Sequence, residues 1–229
     1  MSSIDTEAQT LTSETFAQLR EDILVGRFRP GQKLRMEELR ELYAVGFSPI
    51  REALMRLTSE GLVTAEDRRG FRAAPVSHRD LLEITLARQQ IEAIALRESL
   101  AQGSSAWETE IVAAFDRLRK VPSRDRQTGR INREWASRHY AFHYSLVSAA
   151  QNRWILRFWG ILYDQADRYR WLAAGSLPAG RLQEHRQLLD AALARDIDKL
   201  VTLSCDHIAR TATLVGGHLA QSQNATYGY

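Results

Sequence analysis

The stretch Tyr43–Val63, YAVGFSPIREALMRLTSEGLV, constrains the chain most, because it reads as a short helix with both ends marked. Ser48 can cap its start with a hydroxyl, and Pro49 suits the first helical position, where no amide proton is needed. Ile50, Ala53, Leu54 and Leu57 recur at helical spacing as one apolar stripe, with Arg51, Glu52, Met55 and Arg56 on the other face, and Gly61 ends the helix. Met36–Tyr43 is a second short amphipathic helix, with Leu39 and Leu42 inward, joined to the first by the tight turn 44–47. Two short helices on such a turn, the second showing arginines near its start, describe a helix-turn-helix that reads a DNA groove. The plainer reading is a helical hairpin with a solvated charged face.

The next dozen residues weigh against the plainer reading. Residues 62–65 and 71–75 read as two strands around a polar turn, a hairpin whose tip carries Arg68, Arg69 and Gly70, with Arg72 just beyond. A basic hairpin after a recognition helix is a wing able to touch phosphates or enter a minor groove. Ser48, Pro49, Arg51, Arg56, Arg68, Arg69, Gly70 and Arg72 are therefore the expected DNA-contacting residues.

Upstream, residues 1–10 read as a disordered tail, and Thr12–Val25 as a helix with Phe16, Leu19 and Ile23 on one face. Arg29-Pro30-Gly31 is a turn leading into an extended segment at 33–35. In order and spacing, ILVGRFRPGQKL, SPIREALMRL, EGLV and RRGF resemble the GntR regulators, and within them the FadR-type subfamily. The resemblance implies a winged helix-turn-helix over 11–76. One departure stands out. The family usually has Ser-Arg-Thr-Pro before the recognition helix, with the arginine reading a base; this chain has Gly46-Phe47-Ser48-Pro49. Phe47 cannot hydrogen-bond a guanine, so the resemblance carries the docking mode and not the usual operator.

From Arg79 onward the pattern is helical throughout, with expected helices at 80–101, 105–120, 131–149, 153–174, 179–194 and 197–221 and a flexible tail over 223–229. The fold class expected is thus mostly α: a winged helix-turn-helix followed by an all-α bundle over 77–222. Four of the six histidines fall on inward stripes of these helices. His139 and His143 are one turn apart beside Trp135, Phe142 and Leu146; His185 lies between Leu182 and Leu189; His207 follows Leu200 and Leu203. Buried imidazoles need partners. One divalent metal would satisfy all four, and nitrogen-only ligation suits zinc first, then nickel or iron, over magnesium or calcium. Alternatively, each is an ordinary core histidine bonded to a neighbour.

Arg88 lies on the apolar side of its helix, one turn before Glu92. It pairs with Glu92 structurally, or it clamps a ligand carboxylate in the two-pronged geometry of a guanidinium. Tyr163, Arg168 and Tyr169 are further candidates to line the same pocket.

Residues 88–92, HYAFHYSLVSAAQN, EHRQLLDAALARD and the late His207 resemble the FCD effector domain of FadR-type regulators. That domain commonly holds a metal with an Asp-x3-His pair and two later histidines. Residue by residue this implies His143, His185 and His207, with His139 where the family usually has Asp. VGFSPIREAL together with the RHxxFH pattern resembles the smaller group containing the glutarate-responsive repressors of carbon-starvation and lysine-catabolic genes. A small carboxylate effector, a dicarboxylate such as glutarate, is what that implies, together with repression; a homodimer on a palindromic operator in double-stranded DNA is expected because one recognition helix buries too little to hold a specific site alone.

Charge neither supports nor opposes this. The net is +3, and residues 16–78 carry 11 Lys/Arg against 9 Asp/Glu, so the DNA reading rests on where the arginines stand. Cys205 is the one cysteine, which excludes an internal disulfide framework and suits a reducing cytoplasm. No run approaches the roughly 20 apolar residues of a membrane span. A helical metalloenzyme with an appended DNA-binding module is the rival from another class. It lacks support: there is no HExxH, and Glu184 is adjacent to His185 rather than three residues from it. A constitutive DNA binder with a purely structural metal is the third reading, and sequence alone leaves it open.

Overall fold

The computed structural model describes residues 3–67, 69–173 and 181–226. The chain forms two compact units: Met1–Ser77 together with Asp167–Leu172, and His78–Ala166 together with Ala173–Tyr229.

The first unit holds α1 (Ser3–Leu24), β1 (Lys33–Leu34), α2 (Met36–Tyr43), α3 (Phe47–Ser59), β2 (Val63–Glu66) and β3 (Gly70–Ala73). The helix α1 takes in residues 3–10, where the sequence pattern alone suggests a disordered tail; residues 1–2 lie outside the described residues. The apolar stripe of α3 is its inner face, as Ile50, Ala53, Leu54 and Leu57 are all fully buried. They share one core with Leu19, Ile23, Leu34, Leu39, Leu62, Val63 and Ala73. Polar ties add register: Tyr43 donates to Asp22 at 2.8 Å, and Arg20 pairs with Glu60 at 3.3 Å.

The start of α3 differs from expectation. Its N-cap is Gly46, with no side-chain cap, and Ser48 lies inside the first turn, donating weakly to Glu52 at 3.4 Å. Pro49 is still tolerated, because the amides of the whole first turn lack helical acceptors. At the other end Gly61 adopts φ +73°, and the Leu62 amide reaches back to the Leu57 carbonyl at 3.0 Å, which closes the helix in a left-handed turn. The three strands form an antiparallel sheet in the order β1-β3-β2, with Val63 opposite Ala73 and Glu66 opposite Gly70.

The second unit is helical: α4 (His78–Gln102), α5 (Ser105–Arg119), α6 (Arg133–Val147), α7 (Arg153–Leu172, of which Asp167–Leu172 falls in the first unit), α8 (Leu182–Leu193) and α9 (Ile197–Thr226). The ends of the expected helices at 174 and 179 lie outside the described residues, as do 227–229 of the expected C-terminal tail, while α9 runs on through 223–226. One core joins the helices, with Leu96, Ile111, Phe142, Leu146, Leu188 and Leu200 at its centre. Phe115 and Phe142 meet edge to face at 5.7 Å between α5 and α6, and the buried Trp107 indole donates to the Ser145 carbonyl at 2.8 Å. Gly103 is where α4 turns into α5, and a Cβ there would collide with the Trp107 ring. This packing fixes the rotation of α6, α8 and α9, and so decides which histidines point inward.

Candidate functional site

The outer face of α3 is exposed along its length. Phe47, Arg51 and Met55 stand one turn apart in a line, with Phe47 45% and Met55 56% exposed. Ser48 and Arg56 are exposed as well, and the Arg56 guanidinium lies over the Phe16 ring at 3.9 Å. At the hairpin tip Arg69 and Gly70 are exposed, and Gly70 takes φ +90°, a conformation its lack of Cβ permits. Arg68 lies outside the described residues. Arg72, half-exposed, has partners within the fold. Its Nε donates to Glu66 at 2.9 Å and its Nη1 to the Gly31 carbonyl at 3.1 Å, so it braces the sheet.

In the second unit the four histidines converge. One ring nitrogen from each of His139, His143, His185 and His207 lies within 4.8 Å of the others, and all four residues are buried. His143 Nε2 comes within 3.2 Å of His139 Nε2. A zinc–nitrogen bond of about 2.1 Å places ligand nitrogens about 3–4 Å apart, so the spacing fits one ion after a small contraction.

The outward nitrogens are held by three different groups. His185 Nδ1 lies 2.9 Å from the Arg181 carbonyl. A carbonyl only accepts, so Nδ1 carries the proton and Nε2 is left as the ligating atom. His207 Nδ1 lies 2.7 Å from Glu184 Oε2. Burial holds the His207 imidazole below its ordinary pKa, opposed by Glu184, while the bond to His207 holds the Glu184 carboxyl below the usual carboxylate range. The pair is therefore a neutral imidazole donating Nδ1–H to a carboxylate, which again frees Nε2. His139 Nδ1 lies 2.7 Å from the Tyr163 hydroxyl. Outer partners of this kind fix the tautomer and raise the basicity of metal-ligating histidines.

Tyr163 also joins the cluster to Arg88, whose guanidinium lies over its ring at 4.7 Å. Arg88 is 9% exposed, and its buried Nε has no hydrogen-bond partner among the described residues. Arg88 and Glu92 interact through charge, while the hydrogen bonds of Glu92 go to other residues. Glu92 is fully buried and accepts instead from Trp159 Nε1 at 2.6 Å and Ser204 Oγ at 3.1 Å. Burial pushes its carboxyl up, against the opposing charge of Arg88. Beside the cluster, a cavity of about 290 Å³ is lined by His185, Trp135, Leu182 and the arginines 119, 124 and 181.

Arg168 and Tyr169 are placed elsewhere, in the part of α7 that belongs to the first unit. Arg168 donates to the Ala74 carbonyl, and Tyr169 Oη accepts from the Ser77 amide at 3.1 Å. They follow Tyr163 by five and six residues, which turns them well away from its face. The sequence reading missed Glu184 and Arg181. Glu184 was weighed only against a Glu-x-x-His ligand pair, and nothing in spacing alone shows that it reaches across to α9.

Comparison with known proteins agrees with both units. Residues 11–72 match the model described as bacterial regulatory proteins, gntR family, and residues 80–210 match the FCD domain. The HTH-type transcriptional repressor GlaR of Escherichia coli (strain K12) is 36% identical over 206 residues, covering 87% of this chain and 93% of GlaR. A relative from Paraburkholderia xenovorans (strain LB400), the HTH-type transcriptional regulator BphR, is 36% identical over 210 residues, covering 90% of this chain and 86% of that one. Among solved structures, E. coli McbR/YncC matches with a TM-score of 0.75 at 18% identity, over 90% of this chain and 96% of that one, which speaks for the fold alone. The chain belongs to the gntR family of bacterial regulatory proteins: a DNA-binding transcriptional regulator, not an enzyme, with an FCD domain following its winged helix in the chain.

Proposed function

We propose that this regulator is a homodimeric repressor whose affinity for a palindromic operator is set by a small dicarboxylate bound at a divalent metal in the FCD domain. The observation that carries the reading is the convergence of four buried imidazoles next to a buried, cationic Arg88. His139, His143, His185 and His207 would hold the ion, zinc by preference since every ligand is nitrogen. Bound there, it would supply a Lewis-acidic positive charge that four neutral imidazoles leave uncompensated.

The chain's own residues do the rest. Tyr163, the Arg181 carbonyl and Glu184 aim the imidazoles, and Tyr163 holds the Arg88 guanidinium over its ring. Arg88 offers fork-shaped donors to a carboxylate, so the pocket favours a ligand negative at both ends. The cavity beside His185, with three arginines on its wall, is the approach. A five-carbon diacid such as glutarate or 2-hydroxyglutarate is the first candidate, on the resemblance to glutarate-responsive repressors. Succinate should bind less well if the distance between anchors selects. The dimer reading draws on half-site logic, because one recognition helix buries too little surface for specific binding alone. Large apolar side chains left exposed on the second unit, Trp154 and Phe158 on α7 and Leu86 and Ile94 on α4, offer surface for it.

Elemental analysis of untagged protein purified without chelators, followed by calorimetry with glutarate, succinate and a monocarboxylate, tests the reading. Stoichiometric metal and a preference for the longer diacid are expected. A metal-free, fully stable protein would return the histidines to ordinary core roles, and equal binding of monocarboxylates would remove the two-anchor mechanism.

A further inference from the structure

The departure at Phe47 leaves a question that the effector site does not touch: what takes over base reading where the usual arginine is missing. The inner face of α3 admits one rotation only, because Ile50, Ala53, Leu54 and Leu57 are fully buried. That rotation puts Phe47 and Arg51 on one outward line, with Phe47 the first residue of the helix. Phe47 is 45% exposed there, so the fold leaves much of its ring open to a partner. Nor is the Phe47 ring left loose. Arg40 of α2 places its guanidinium over it at 5.2 Å, a cation–π contact that restrains the ring and adds positive charge beside it.

In a helix-turn-helix the N-terminal residues of the second helix meet the base edges in the major groove. A phenyl ring has one apolar partner there, the 5-methyl group of thymine. Residues one turn apart are about 6 Å apart along the helix axis. Base pairs stack about 3.4 Å apart, so neighbours on this line reach bases about two steps apart. Arg51, with its two-pronged donors, matches guanine O6 and N7.

We infer that Phe47 is a specificity-determining residue that reads a thymine methyl in each half-site, within about two base pairs of a guanine read by Arg51, with Arg40 holding the ring in place. This goes beyond the effector-controlled reading: it rests on the paired half-sites proposed above but on no property of the effector site, since the contact is made by the DNA-binding unit alone.

The test uses the full-length, metal-replete protein. Selection from a pool of randomised duplexes defines the operator, and each thymine of the consensus is then replaced by uracil, which keeps every hydrogen-bonding group and removes only the methyl. At one thymine per half-site, near a guanine, the replacement should weaken wild-type binding about fourfold, the factor that burying one methyl group is worth. Phe47→Ala should bind the thymine and uracil operators equally, Phe47→Leu should keep part of the discrimination, and Arg40→Ala should reduce it. Phe47 is exposed, so these variants leave the core intact, and a retained melting temperature checks it. The inference is overturned if no thymine near a guanine is methyl-sensitive, or if uracil weakens wild type and Phe47→Ala alike. Either result would leave the family assignment and the effector reading standing.

Discussion

Glu184 offers a sharp test of the histidine cluster, because it touches none of the proposed ligating nitrogens and acts only through His207. Its carboxylate accepts from His207 Nδ1 at 2.7 Å, and His207 is 6% exposed, so the bond is short, charge-assisted and almost dry. Removing such an outer partner typically costs 10–100-fold in metal affinity, about 1.4–2.8 kcal/mol. Where in that range the cost falls depends on the surroundings. Arg210 and Arg181 share the same carboxylate at 3.3 and 3.7 Å, and its side chain is 21% exposed, so part of its charge is already balanced. Glu184→Gln keeps an acceptor for Nδ1–H and loses only that diluted charge, and should cost about tenfold. Glu184→Ala also releases the imidazole tautomer and orientation, and should approach about 100-fold. Competition against a chromophoric chelator, at fixed pH on full-length protein, measures both. If Glu184→Ala holds zinc as tightly as wild type, His207 is not a ligand oriented by this pair and the cluster must be redrawn.

The remaining expectations are independent of that one. Arg51→Ala should weaken operator binding by about 1–3 kcal/mol at constant salt in a mobility-shift titration, as for a lost two-pronged base contact; unchanged binding would refute the docking model. Arg69→Ala should weaken all sequences alike and flatten the dependence of log K on log salt by about one. Arg88→Ala should keep the metal and lose diacid binding, read by elemental analysis and calorimetry together. Glu92→Gln should raise the melting temperature at neutral pH. Burial raises the folded pKa of Glu92, so the native state prefers the protonated form and loses stability as pH rises through that value. The gain should therefore vanish in melts run at low pH.

Much of the fold was legible because burial leaves a period in the sequence. The stripes at 50–57, 107–118 and 139–146 each repeat at helical spacing, and they are the buried faces of α3, α5 and α6. The ends were less legible. Ser48 has the right chemistry for a cap, yet Gly46 holds the position, because which of several polar residues caps a helix is decided by where the preceding turn leaves the backbone. The segment 3–10 has little apolar content, so no periodic signal marks it as part of the helix that the stripe at Phe16, Leu19 and Ile23 announces.

The site shows the same division more sharply. Periodicity fixes the angle at which a side chain leaves its helix, so four inward histidines could be read from the sequence before any contact was known. It says nothing about which helices become neighbours or how far each is shifted along its axis. Arg168 and Tyr169 are a different case: five and six residues after Tyr163, they leave α7 at other angles, which the spacing itself carries, and their partners are Ala74 and Ser77. Glu184 was set aside on a correct angle. It points about 100° from His185 and so cannot share its role as a ligand. That same angle carries it across to α9, where it meets the far side of His207. A residue one step off the ligating face is therefore well placed to hold a ligand on the neighbouring helix. In a bundle whose metal ligands come from several helices, the positions beside each ligand are the first place to look for the groups that orient the others.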